Sequence, residues 1–169
     1  MIQYLSEDEV YRVGMCIEQA GLDFYTKMAE KADDPATKRI FKRLAKDEKG
    51  HLAFFESLGL GSTGGLGKMT AEADSDVSSY VCSLVDGGIF RHIGRMEKML
   101  KRKFDPESAL ELALQVEKDA VLYYTEAYMV NKKRKAKKAL ERLIQEEKGH
   151  VTQISKRLEK VRKNKEKGK

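Results

Sequence analysis

The sequence predicts an all-α fold, a four-helix bundle, on three observations. The word Glu-Lys-Gly-His occurs twice, at 48–51 and 147–150, and a glutamate stands thirty residues before each copy, Glu18 and Glu117. Sliding the chain by 99 residues without a gap places Glu18 on Glu117, Tyr25 on Tyr124, Thr26 on Thr125, Arg43 on Arg142, Leu44 on Leu143 and the whole word on itself. Apolar residues recur around these positions at the three-to-four spacing of amphipathic helices. Two helix pairs related in this way, joined by a long connection, make a bundle with a pseudo-twofold axis and one long crossover between its second and third helices.

Ser6 with Glu9 forms a capping box and starts the first helix. Val10, Val13, Ile17, Phe24 and Met28 give it an apolar stripe that Leu22 and Tyr25 widen, to about Ala32. Asp34 and Pro35 then supply an N-cap and a first-turn proline for the second helix. That helix turns Phe41, Leu44, Glu48, His51 and Phe55 inward and is expected to end on Gly59 as a left-handed cap. Residues 59–75 are a Gly-rich linker, and 76–103 read as short helices within the crossover, interrupted at Gly87 and Gly88. Asp105 and Pro106 repeat the start signal for the third long helix, with Leu110, Ala113, Leu114, Glu117, Val121, Tyr124 and Tyr128 on one face. The fourth is expected from about Lys133 past Leu158, carrying Leu140, Leu143, Ile144, Glu147, His150 and Ile154 inward.

A length of 169 residues suits one domain, here 1–158, followed by a tail. The chain is 36% charged and 41% hydrophobic, with two prolines and no Trp, which fits helices better than a β-sandwich. The net charge of +6 is concentrated at 156–169, which hold eight basic and two acidic residues. A neutral body with a basic end is not the pattern of a general nucleic-acid binder. The tail at 159–169 is expected to be too polar to pack and to be disordered. Residues 1–10 do not read as a secretory signal, and no stretch is long and apolar enough to span a membrane. Cys16 and Cys82 are far apart and form no CxxC pattern, consistent with two small thiols in a reduced, cytoplasmic chain.

The repeated word carries the chemistry. Glu48 and His51, like Glu147 and His150, are three residues apart and share a helix face, so one ion can reach both members of each pair. Glu18 and Glu117 complete two matched sets. Burying four carboxylates without compensation costs several kcal/mol each; a pair of divalent cations supplies the compensation, and the alternative is a hydrogen-bonded polar core. In the metal reading Glu48 and Glu147 bridge, His51 and His150 bind one ion each, and Glu18 and Glu117 are terminal ligands. Oxygen-rich ligation with one imidazole per ion suits two iron ions, with manganese or zinc as the other candidates.

Tyr25 and Tyr124 lie seven residues after Glu18 and Glu117 and are candidates to hydrogen-bond the ligand carboxylates. Gly50 and Gly149 stand mid-helix, where each costs about 1 kcal/mol against Ala; their equivalence points to close helix packing beside the site. Asp47 and Glu146 are rotated about 100° from the ligands and read as salt-bridge partners at most. His92, with no Glu three residues before it, reads as a surface or interface histidine. Residues 132–138 (KKRKAKK) oppose the dipole of the fourth helix and read as a solvated junction, or as a site for an anion or acidic partner.

The set Glu18, Glu48-x-x-His51, Glu117 and Glu147-x-x-His150, within LAKDEKGH and LIQEEKGH, resembles the rubrerythrin-type diiron domain of the ferritin-like superfamily over residues 4–157. The resemblance implies a ferritin-like bundle with a non-haem diiron centre, reduction of hydrogen peroxide or reaction with O2 and ferrous iron, and a homodimer, a combination associated with oxidative stress. Full rubrerythrins add a rubredoxin domain with four cysteines, which this chain lacks, so electrons are expected from a separate, rubredoxin-like donor or from Fe(II) itself. Many also carry a glutamate three residues after the third-helix ligand, where this chain has Ala120. The expectation is therefore a rubrerythrin-like peroxidase or ferroxidase. Iron storage without turnover and a metal-stabilised basic interaction module are the rival readings.

Overall fold

A computed structural model of the chain describes residues 7–57, 90–131 and 133–167. Among these, every regular element is helical: α1 Glu7–Lys31, α2 Pro35–Phe55, α3 Phe90–Leu100, α4 Pro106–Val130 and α5 Arg134–Lys167. The all-α bundle expected from the repeat is the fold observed. α1 packs along α2 and α4 along α5, so each half of the repeat is a helical hairpin; the two hairpins meet more sparingly, and α3 lies against α1 and α4.

The start signals act as the sequence suggests. The Asp34 carboxylate accepts from the Thr37 backbone N–H (2.7 Å) and hydroxyl (2.6 Å), with Pro35 opening α2. Asp105 accepts from Ser108 N–H (3.0 Å), with Pro106 opening α4. Asp34 also joins the two hairpins. Arg157 of α5 donates to its carboxylate and, through Nε, to Thr37 Oγ1 (2.9 Å). The cap of α2 is thereby also a clamp between the hairpins. Lys31 at the end of α1 donates to the Leu100 carbonyl (2.5 Å) and the Arg102 carbonyl (3.1 Å), closing the C-terminal end of α3.

Burial is arranged in two apolar clusters. One holds Ile17, Phe55, Tyr123, Tyr124, Leu140 and Leu143. The other holds Phe24, Tyr25, Phe41, Met96, Leu110 and Ile154. The buried glutamates and histidines of the repeat belong to neither and form a polar layer of their own.

One expectation changes here. The basic tail does not leave the bundle: α5 continues to Lys167. Leu158 is buried, Val161 packs partly against the second cluster, Arg162 Nε lies 3.0 Å from Glu107 and Lys165 Nζ 2.7 Å from Glu107. Leu158 and Val161, with acidic partners on α4, hold the start of a segment whose composition alone reads as disordered, and 162–167 continue it as an exposed helix. His92, expected at a surface or an interface, sits between two helices: its side chain is 13% exposed, and Nδ1 lies 2.6 Å from Asp119 Oδ2, joining α3 to α4. The Gly59 cap, the linker at 59–75, residues 76–89 with Cys82, and Ser6 lie outside the described residues. No helix among the described residues is long and apolar enough to cross a membrane.

Asp34→Ala removes an N-cap and leaves Arg157 without its carboxylate. A loss of about 1–2 kcal/mol is expected, measured as a fall in the urea unfolding midpoint with an unchanged slope.

Candidate metal centre

The six side chains singled out by the repeat meet in the polar layer. Glu18 comes from α1, Glu48 and His51 from α2, Glu117 from α4, and Glu147 and His150 from α5; each is 1–4% exposed. They form two overlapping groups, Glu18–Glu48–His51–Glu147 and Glu48–Glu117–Glu147–His150. Within each group one ligand atom per residue lies within 4.8 Å of all the others. Glu48 and Glu147 belong to both groups, which is the arrangement bridging carboxylates require. Gly21 makes room for one of them. A Cβ on Gly21 would lie 3.3 Å from Glu48 Cδ, so α1 and α2 approach closely there.

Each imidazole turns Nδ1 toward the carboxylates and Nε2 outward. His51 Nδ1 lies 3.0 Å from Glu18 Oε2, 3.0 Å from Glu147 Oε1 and 3.4 Å from Glu48 Oε2. His150 Nδ1 lies 2.9 Å from Glu147 Oε2 and 3.4 Å from Glu117 Oε2. The rings stack with centroids 5.7 Å apart.

In the protein alone, protons balance this layer. Burial opposes a charged imidazole, but Glu147, Glu18 and Glu48 outweigh it and hold His51 protonated well above the ordinary range. His150, against Glu117 and Glu147, is raised to about 10 in spite of its burial. Burial and the charges of Glu18 and Glu147 push Glu48 well above the usual carboxylate range. Burial and Glu147 push Glu117 up to about 8. Glu147 is held well below its ordinary value, its burial overcome by the hydrogen bond from His150 and by the nearby charge of His51. Burial and charge thus favour protons on both imidazoles and on Glu48 and Glu117, and an ionised Glu147.

The outer partners cross between the hairpins. Tyr25 of α1 donates to Glu117 Oε1 on α4 (2.5 Å), and Tyr124 of α4 donates to Glu18 Oε1 on α1. Each tyrosine serves the other hairpin's glutamate rather than the one on its own helix. Burial, then the facing glutamate, raises both phenols well above their usual range, so they remain donors.

Asp47 and Glu146 do more than the repeat spacing suggests. His51 Nε2 donates to Glu146 Oε2 (3.0 Å) and His150 Nε2 to Asp47 Oδ2 (3.3 Å), again across the hairpins. Arg142 and Arg43 back these carboxylates from the next turn, at 2.8 and 3.7 Å. The signal was present in the repeat, which aligns Asp47 with Glu146, but their tilt from the ligand face hid that an outward Nε2 on the facing helix comes to meet them. The glycine expectation is also corrected. A Cβ on Gly50 or Gly149 meets nothing within 4 Å, so neither marks close packing; Gly21, not singled out by sequence, does.

The donor set fits two divalent cations. Glu147 Oε1 is buried with no hydrogen-bond partner. Its 3.0 Å approach to His51 Nδ1 lacks hydrogen-bonding alignment, so the oxygen is left facing the carboxylate layer. A buried carboxylate oxygen without a hydrogen bond is costly; in the protein alone the His51 ring at 3.0 Å offsets part of that cost, and a divalent cation would offset it more fully.

Metal must displace the protons on Glu48, Glu117, His51 and His150. Release of roughly four protons per two divalent ions is expected, measured by calorimetry in buffers of different ionisation enthalpy. The bound form needs these groups deprotonated, so zinc affinity is expected to rise from pH 6 to 8, as the solution approaches the raised value of Glu117. Asp47→Ala and Glu146→Ala each remove the acceptor that orients a ligand imidazole. Metal affinity is expected to fall by about 10–100-fold in each with helix content unchanged, measured by chelator competition and circular dichroism.

No curated protein and no solved structure matches the chain. Residues 1–59, which contain Glu18, Glu48 and His51, match the rubrerythrin family model, the family whose diiron domain the repeated word resembles.

Proposed function

We propose that this protein holds a diiron-carboxylate centre that reacts with hydrogen peroxide or O2, with electrons returned by a separate donor. The observation that carries this reading is the double use of Glu48 and Glu147 in two overlapping four-residue groups, with one buried Glu147 oxygen accepting no hydrogen bond. When bound, a ferrous pair supplies two electrons that, with two protons, reduce one hydrogen peroxide to two waters.

The chain's own residues support that reaction in four ways. Glu18, Glu48, Glu117 and Glu147, with Nδ1 of His51 and His150, would hold the ions. Tyr25 and Tyr124 fix the rotation of Glu117 and Glu18 by donating to one oxygen of each. The two apolar clusters keep bulk water from the layer. Beside the carboxylates, between α1 and α4, Ile17, Gly21, Val116 and Ala120 border a cavity of about 10 Å³. That is room for about one water molecule beside the carboxylates.

The groove outside the two imidazoles is lined by five cations against two carboxylates. Hydrated Fe2+ is repelled there while neutral peroxide and O2 are not, which favours turnover with a small oxidant over iron storage. Anaerobic protein loaded with ferrous iron is expected to consume about one peroxide per two irons, the ratio set by two-electron reduction at a two-metal site, with the absorbance of the oxidised pair rising in step. Glu48→Ala with Glu147→Ala is expected to lose that reaction; peroxide consumption at the unsubstituted rate would refute the proposal.

A further inference from the structure

Outside the two imidazoles, between α2 and α5, runs a solvent-open groove of about 1130 Å³. Its floor is formed by His51 and His150, and its walls carry Arg43, Lys46, Lys135, Lys138 and Arg142. The acidic residues lining it, Asp47 and Glu146, are already engaged by the imidazoles. Among the described residues, Lys46, Lys135 and Lys138 have no ion-pair partner. Arg43 and Arg142 meet Asp47 and Glu146 through Nε, and their side chains are 65% and 83% exposed. The outer edges of both guanidinium groups therefore remain available.

Two further features add to the positive field. α5 begins at Arg134 with no acidic residue in its first turn, so the positive end of its dipole adds to Lys135 and Lys138. Left alone, that arrangement is mutually repulsive. Gly50 and Gly149 line the groove, and a Cβ on either would meet nothing within 4 Å. Glycine there satisfies no packing need; it leaves open space along the floor.

We propose that the groove between α2 and α5 is a binding site for a small oxyanion, a phosphate-type group or a carboxylate, held by Arg43 and Arg142 together with Lys46, Lys135 and Lys138. The guanidinium fork pairs with two oxygens of such an anion at once, and the lysines add point charges without fixed geometry. The site places that anion against the outer side of His51 and His150. It does not depend on a metal being present, since none of these five side chains belongs to the buried layer.

The test is a titration of the zinc-loaded full chain, which is diamagnetic, with sodium sulfate at constant ionic strength, following backbone amide shifts. Saturable shifts centred on Gly50, Ala139 and Gly149 are expected. Lys135→Ala with Lys138→Ala, both exposed, is expected to weaken binding by about tenfold or more, while Lys163→Ala at the far end of α5 leaves it unchanged. A parallel titration with acetate separates the two sources: tighter sulfate assigns a phosphate-type ligand, tighter acetate a carboxylate. Shifts that never saturate with either anion, or equal weakening in the groove and control variants, would overturn the proposal. Amide shifts report the anion whether or not zinc has bound, so failure here and failure of the metal reading are separate results.

Discussion

Four carboxylates and two imidazoles, all nearly inaccessible to water, share one layer in the middle of the bundle, and the structure is arranged around neutralising them. The protein alone does this with protons, carried on both imidazoles and on Glu48 and Glu117. Two divalent cations would do it more fully, because they would also meet the Glu147 oxygen that accepts no hydrogen bond. The apolar clusters make neutralisation necessary, since the layer has no bulk water to screen it.

Each hairpin depends on the other for the orientation of its ligands. Tyr25 steadies Glu117 and Tyr124 steadies Glu18; Glu146 holds His51 and Asp47 holds His150. A hairpin by itself would present a Glu-x-x-His pair with neither its phenol nor its outer carboxylate. The centre is therefore a property of the assembled bundle, and the Arg157 bridge to Asp34 and Thr37, at one end of α2, helps to assemble it. The pseudo-symmetry is incomplete where the chemistry is concerned. Gly21 stands opposite Ala120, and the shorter Asp47 stands opposite Glu146, so the two four-residue groups have unlike surroundings.

Much of this was legible in sequence because the repeat puts function and fold in one register. Glu18, Glu48, His51, Glu117, Glu147 and His150 could be gathered from spacing alone, and the Asp-Pro words gave two helix starts. What escaped depends on contacts between helices that no local pattern encodes. Asp47 and Glu146 point away from the ligands on their own helix and matter only because a facing imidazole turns Nε2 outward. Gly50 and Gly149 looked like packing glycines, but the tightly packed ones are Gly14, against Phe55, and Gly21, against Glu48, and neither has a partner glycine in the repeat. The tail looked disordered by composition, yet Val161, Arg162 and Lys165 find an apolar edge and Glu107 on α4.

The most direct test of a two-metal layer is anomalous X-ray scattering from crystals of the protein grown with ferrous iron or zinc. Two metal peaks per chain are expected, about 3.5–4 Å apart as in two-metal sites, with Glu48 and Glu147 contacting both and Nδ1 of His51 and of His150 contacting one each. A single metal, or an intact polar layer that holds none at saturating metal, would contradict it.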